Sequence, residues 1–148
     1  ARAGMLLTAW PVAVALTGGV AGKLSDRVAA GLLGGIGLAV MCLGLLALLA
    51  VDRSTPDGLM LSMFAVCGIG FGLFQSPNNR TMISAAPRER TGGASGMLGT
   101  ARLTGQTVGA SVVAMLMGFS GSPYALVLCF AAALAGAASL VSLSRLRY

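Results

Sequence analysis

A chain of 148 residues that is 56% hydrophobic and only 9% charged cannot cover itself with polar surface, since soluble domains carry about a quarter of their residues charged. Its net charge of +6 sits in short loops rather than on a basic face, which points to membrane topology and away from nucleic acid. The sequence has no histidine, paired carboxylate, phosphate loop with its lysine or cysteine pair, so it offers neither a catalytic constellation nor a metal site and reads as a non-enzyme.

Five apolar runs follow in order: residues 4–22, 28–51, 58–79, 92–119 and 123–143. A helix needs roughly 20 apolar residues to cross a bilayer, and only helices satisfy their own backbone there in runs of this length. The expectation is an all-α membrane protein of five transmembrane helices. The first run begins almost at Ala1, with no initiator methionine and no signal-peptide pattern, so a fragment with an upstream start is expected.

Between the first two runs stands the charged hexapeptide Gly22-Lys23-Leu24-Ser25-Asp26-Arg27, a hairpin turn pinned at a water interface. The next turn, residues 52–58, carries a helix start signal, and residues 86–91 form a basic turn. In the turn 120–123, Ser122 is placed as N-cap and Pro123 at the first helical position. Lys23, Arg27, Arg80, Arg88, Arg90, Arg145 and Arg147 fall on one side of the membrane, and Arg2 and Arg53 on the other. The positive-inside rule makes the first side cytoplasmic, with the amino terminus outside and the carboxyl terminus inside.

Polarity separates the runs. The second has no hydroxyl or amide side chain, and the fifth has serines only near its end. The first carries Thr8, Trp10 and Thr17; the third Gln75, Ser76, Asn78 and Asn79; the fourth Ser95, Thr100, Arg102, Thr104, Gln106 and Thr107. Polar groups in hydrocarbon face a bundle interior or a wet cavity. Runs one, three and four are therefore expected to line something, and runs two and five to face lipid. Cys42, Cys67 and Cys129 lie singly in apolar runs and read as small buried hydrophobes.

Arg102 is the sharpest single signal. It lies about ten residues into its run, roughly 15 Å at 1.5 Å per residue, near mid-membrane. A central arginine costs about 2.5–3.5 kcal/mol on insertion scales. Ser95, Gly99, Arg102, Gln106 and Gly109 share one helical stripe. That stripe is either a cationic face on a water-filled pathway or an arginine tied to backbone carbonyls at a helix crossing. No acidic residue lies within a run, because Asp26, Asp52, Asp57 and Glu89 are all in loops. In residues 68–80, Gly68 and Gly72 permit close helix contact, and Pro77 removes a backbone donor and can kink the helix. Gln75 and Asn79 stand one turn apart beside Asn78, giving either a cavity-facing helix end or a packed helix that frays at the interface. Gly18 with Gly22, Gly92 with Gly96, and Gly105 with Gly109 are further small-residue pairs, read as packing contacts.

The hexapeptide resembles the loop signature of the major facilitator superfamily: Gly, any residue, Leu, a small residue, Asp, a basic residue. Where that signature continues with Gly and two basic residues, this chain has Ala29, Ala30 and Gly31. Gly68-x-Gly70-x-Gly72, Pro77, Pro87-Arg88-x-Arg90, Ala94-Ser95-Gly96, Ala101-Arg102, Gly105 and Gly109 resemble, in that order, the fourteen-span drug:proton antiporter branch, with bacterial multidrug exporters the nearest likeness. The resemblance implies the last five helices of a carboxyl-terminal bundle, with the amino-terminal half of the transporter as partner. It implies efflux of drugs or other small molecules coupled to proton entry by alternating access, in a bacterial inner membrane. The proton gradient supplies the energy and no cofactor is needed. Arg102, Gln106, Gln75, Asn78 and Asn79 would line or brace the substrate pathway. Gly22, Asp26 and Arg27 would act in a conformational latch, Asp26 meeting a helix N-terminus in the other half. Gly68, Gly72, Pro77, Gly105 and Gly109 would serve helix packing or kinking. An uptake transporter for a metabolite, or a membrane anchor or assembly subunit without transport, stands as the alternative.

Overall fold

The computed structural model describes residues 2–52, 54–118 and 123–144, and the side chains of all of these except Arg2, Ala3 and Pro123. Each apolar run winds into a helix: α1 (Arg2–Leu24), α2 (Ala30–Leu48), α3 (Asp57–Ser84), α4 (Thr91–Gly118) and α5 (Pro123–Ser144), with a 3₁₀ turn at Arg88–Arg90 before α4. The described residues contain no strand. The N-cap expected at Ser122 and the positions of Arg53, Arg145 and Arg147 lie outside the described residues.

By length and composition, α1, α2, α3 and α5 are long and apolar enough to cross a membrane. Helix α4 matches α3 in length at 28 residues but is not among these four, its apolar stretches being broken by Thr100, Arg102, Thr104, Gln106 and Thr107. Helix α3 runs on to Ser84, past the expected end at Asn79, and passes through Pro77 without a break. Hydroxyls hold its last turns: Thr81 Oγ1 donates to Pro77 O at 2.9 Å and Ser84 Oγ to Thr81 O at 3.1 Å.

Glycine decides which helices meet. Association in hydrocarbon rests on close van der Waals contact, which small residues permit. Helices α1 and α3 run parallel, with Gly68 against Trp10 O and Ala13, Gly72 against Val14 O and Thr17, and Gly22 against Ser76. The Trp10 and Phe71 rings lie tilted with centroids 5.9 Å apart. Helices α2 and α3 run antiparallel. A methyl placed on Gly37 would stand 2.6 Å from Gly70 O and 2.8 Å from Phe74 N, so only glycine allows that approach. Helix α5 lies against the other side of α2. Ser139 Oγ donates to Gly35 O at 2.8 Å, Ser142 Oγ to Gly31 O at 2.9 Å, and Cys42 Sγ to Ala132 O at 3.2 Å. The resulting order across the bundle is α1, α3, α2, α5.

This order corrects one expectation. Helix α2 was to face lipid because it lacks polar side chains, yet Leu33, Gly34, Gly35, Gly37, Leu38 and Gly44 are buried between α3 and α5. Polarity is blind to glycine, and here glycine sets burial. The lipid-facing expectation survives on the opposite side of α2, where Ile36, Leu43 and Leu46 are exposed. On α5 it holds for Tyr124, Phe130, Leu134, Leu140 and Val141, while Ala132, Ala135 and Ser139 are buried. The cysteines are all free; Cys67 is buried against Gly44 and Cys42 half-buried. Cys129, expected inside, is exposed on the outer side of α5 beside the exposed Phe130.

Candidate functional site

Three helices leave a cleft of about 330 Å³, lined by Val14 and Gly18 of α1, Gly72, Gln75, Ser76 and Asn79 of α3, and Arg102 of α4. Its floor is low because Gly18 and Gly72 bring α1 and α3 together. Its polar groups come from one side of α3, where Gln75 and Asn79 sit one turn apart, and from Arg102 facing them across the gap. Among the described residues, none of these three side chains makes a hydrogen bond or ion pair, and no carboxylate lines the cleft. The cleft therefore presents a guanidinium and two amides whose donors and acceptors are available to an occupant.

Two of the residues expected here stand elsewhere. Asn78 lies on the other face of α3, because one residue along a helix turns the side chain by about 100°. It lines a second cleft of about 200 Å³ between α2, α3 and α5, with Ala29, Ala30, Gly31, Gly34, Phe74, Thr81 and Ser142. Its Nδ2 makes a weak contact to Met82 Sδ at 3.7 Å. Gln106 is exposed one turn beyond Arg102 and does not line the first cleft. The packing role expected of Gly105 and Gly109 is not seen, since a methyl on either would meet nothing within 4 Å. Gly68, Gly72 and the buried Pro77 do sit in packed surroundings.

The hexapeptide closes on α3 through an arginine that the sequence marked only as a topological charge. Arg80 Nη1 donates to Asp26 Oδ1, to Ser25 Oγ at 3.1 Å and to Gly22 O at 3.3 Å. Ser25 Oγ donates in turn to Gly22 O at 2.7 Å. The last carbonyls of a helix have no partner within it and form the negative end of its dipole, so a cation there is favoured. Arg80 thus caps α1 and holds Asp26 at once. Asp26, expected to meet a helix N-terminus in another half, is paired here with Arg80 of its own chain, 54 residues away. Both side chains are more than half exposed, so the pair adds little to stability, about 0–1 kcal/mol. Arg27 is exposed and its side chain makes no hydrogen bond among the described residues. Ser76, one turn before Arg80, lines the cleft, so cleft and clasp share the last turns of α3.

Residues 1–147 match the Major Facilitator Superfamily. The chain belongs to that superfamily. This major facilitator chain is 54% identical over 114 residues to the uncharacterized transporter YebQ of Escherichia coli (strain K12), covering 77% of the chain and 25% of the relative. It is 31% identical over 114 residues to the multidrug resistance protein Stp of Mycobacterium tuberculosis (strain ATCC 25618 / H37Rv), covering 77% and 21%. It is 28% identical over 100 residues to the riboflavin transporter RibZ of Clostridioides difficile (strain 630), covering 68% and 22%. The chain spans a fifth to a quarter of the length of these relatives. No solved structure matches it. Superfamily membership and relatives named as transporters place the chain in a family of multi-pass membrane transporters rather than of enzymes.

Proposed function

We propose that the chain forms part of the carboxyl-terminal bundle of an alternating-access exporter, which moves drugs or other small molecules outward in exchange for protons. The observation that carries this reading is the cleft between α1, α3 and α4, where Arg102 of α4 faces Gln75 and Asn79 of α3 and its side chain bonds nothing among the described residues. Transporter sites form near the midplane, where irregular or polar groups line a cavity between bundles. An arginine this deep in a helix is tolerated when it faces such a cavity. The remaining bundle of the same transporter is the partner that would close the cleft. The titrating carboxylates for proton coupling would come from that part, since the acidic residues here stand outside the apolar runs. No cofactor is required, the proton gradient driving the cycle.

The charge-rich end, with Lys23, Arg27, Arg80, Arg88 and Arg90, would face the cytoplasm of a bacterial inner membrane. Asp26, Gly22 and Arg27 would act with Arg80 as a latch at that end. The name of Stp supports export of drugs, whereas that of RibZ supports a second reading, transport of a metabolite.

Export by the full-length protein tests the reading. Arg102→Ala is expected to cut drug export about tenfold or more, as for loss of a charge-assisted bond worth about 1.5–3 kcal/mol, at unchanged membrane abundance. Normal export by that variant would remove Arg102 from the pathway. Counterflow with labelled riboflavin and with a labelled drug separates the two substrate classes.

A further inference from the structure

The charge-rich end carries a further hollow that shares no residue with the cleft and only Arg80 with the clasp. It lies where α3, the 3₁₀ turn and α4 meet, has a volume of about 480 Å³, and is lined by Arg80, Ile83, Ser84, Ala86, Arg88 and Thr91. Among the described residues no carboxylate lines it. The bonds of Arg80 among those residues all leave from Nη1, so Nη2 and Nε, two of the three nitrogens of a guanidinium, are uncommitted there. Arg88 is exposed and its side chain bonds nothing among the described residues. The hydroxyls of Ser84 and Thr91 already donate to Thr81 O and Arg88 O, so recognition here falls to the two guanidiniums. Ile83 and Ala86 give the hollow an apolar wall.

We propose that this groove seats the phosphate of an anionic phospholipid from the leaflet that meets the charge-rich end. Two arginines match a phosphodiester in geometry and charge. The apolar wall suits the glycerol and first methylenes that follow it, and the groove stands where a long apolar helix ends, at headgroup level. Across this end the described residues set five cations, Lys23, Arg27, Arg80, Arg88 and Arg90, against two carboxylates, Asp26 and Glu89. Such a field draws anionic lipid, and basic pockets between membrane helices bind its headgroups. The cationic or zwitterionic headgroups of other lipids would bring an amine against the arginines.

The test uses the full-length protein purified in a neutral detergent, with phosphatidylglycerol, phosphatidylcholine or inorganic phosphate added and the melting temperature read. A ligand that binds only the folded state raises that temperature. Phosphatidylglycerol is expected to raise it, and phosphatidylcholine and inorganic phosphate are not. Arg88→Gln is expected to lose more than half of the phosphatidylglycerol shift, while Arg90→Gln, outside the groove, keeps it. Ala86→Glu, which sets a carboxylate in the groove, is expected to abolish the shift while leaving the lipid-free melting temperature in place. Four results would each overturn the proposal. These are an equal shift from phosphatidylcholine, an equal shift from inorganic phosphate, equal losses in the Arg88 and Arg90 variants, and an undiminished shift in the Arg88 variant. Native mass spectrometry provides a second readout: the wild-type protein retains phosphatidylglycerol, and Arg88→Gln retains less.

Discussion

Helices α3 and α4 are equally long and both rich in glycine, yet they belong to the molecule in opposite ways. Helix α3 is clasped on two sides, with Cys67, Gly68, Gly70, Gly72 and Pro77 all buried. Helix α4 buries no residue along its 28 positions. A methyl on Gly70 would stand 2.6 Å from Gly37 O, whereas one on Gly92, Gly93, Gly96, Gly99, Gly105 or Gly109 would meet nothing within 4 Å. Glycine spacing alone therefore does not make a helix contact; a complementary surface must be present to receive it. The four helices α1, α3, α2 and α5 form a block in which Gly22, Gly34, Gly35, Gly37, Gly44, Gly68, Gly70 and Gly72 each stand against a neighbouring helix. Helix α4 is a wall of the cleft, and its stripe of Ser95, Arg102 and Gln106 remains exposed.

The largest effect should follow from breaking the block. Gly37→Leu forces side-chain carbon into the backbone of α3, where Gly70 O, Phe74 N and Leu73 Cβ already crowd the site. Overpacking of this kind costs about 1–3 kcal/mol, occasionally more, and here the obstacle is backbone that has no rotamer to yield. The expected outcome is loss of folded protein from the membrane, read by abundance and by melting temperature. Gly99→Ala on α4 should leave both unchanged or raise stability by up to about 1 kcal/mol, because alanine is the better helix former. A destabilised Gly99→Ala alongside a tolerated Gly37→Leu would reverse the contrast between the two regions.

How far the fold was legible in the sequence follows from the same contrast. The helices were legible because long apolar runs favour helix over any other form, whereas the extension of α3 to Ser84 and the broken apolarity of α4 were not. Gln75, Asn79 and Arg102 were legible as cavity residues because polarity in an apolar helix is costly. Asn78 was grouped with them because composition does not say which way a side chain points, and one step along the helix carries it to the α2–α5 side. The burial of α2 escaped a polarity argument because glycine and leucine both read as non-polar while only glycine admits a neighbour's backbone. The Asp26–Arg80 pair escaped because its partners are 54 residues apart and nothing local to either announces the other. The serines of α5, read as incidental polarity near its end, turn out to fasten it to α2.

Those serines set the next test. Ser139 is buried and bonds to Gly35 O. Interhelical hydrogen bonds within a membrane average about 0.6 kcal/mol, so Ser139→Ala should lower stability by roughly that amount. Ser95→Ala on α4, with an exposed hydroxyl, should not lower it. Equal losses in the two would mean that α4 is as tightly held as α5.

The clasp is the place where the block meets the proposed cycle. Asp26→Asn and Arg80→Gln remove the same ion pair from its two ends, so each should slow transport, and by a similar factor. The double variant should be no slower than either, since residues in one pair do not add. Stopped-flow or initial-rate transport by the full-length protein checks this. Strictly additive losses would separate the two residues and return Asp26 to a partner outside the chain. Melting temperature should barely move, because both side chains are more than half exposed.

The smallest effect is expected at the turn between α2 and α3, outside the packed surfaces altogether. The Asp52 carboxylate accepts from Ser54 N at 2.7 Å, Ser54 Oγ at 2.6 Å and Thr55 Oγ1 at 3.3 Å. The side-chain bond from Ser54, then its backbone bond, hold the Asp52 pKa below the ordinary carboxylate value. A depressed folded pKa contributes stability above the unfolded value, and this is lost as pH falls through the folded one. The window therefore lies on the acid side of the usual carboxylate range, and neutral pH leaves the turn intact. Asp52 is fully exposed, so solvent screens the gain, and the block rests on Gly37, Gly70 and Gly35 rather than on this turn. Asp52→Asn should accordingly leave the melting temperature at neutral pH unchanged, while carbon-13 NMR of the labelled carboxylate should place the Asp52 midpoint below that of an unstructured peptide. A clear drop in melting temperature would show that loop hydrogen bonds, and not glycine contacts, fix α2 against α3.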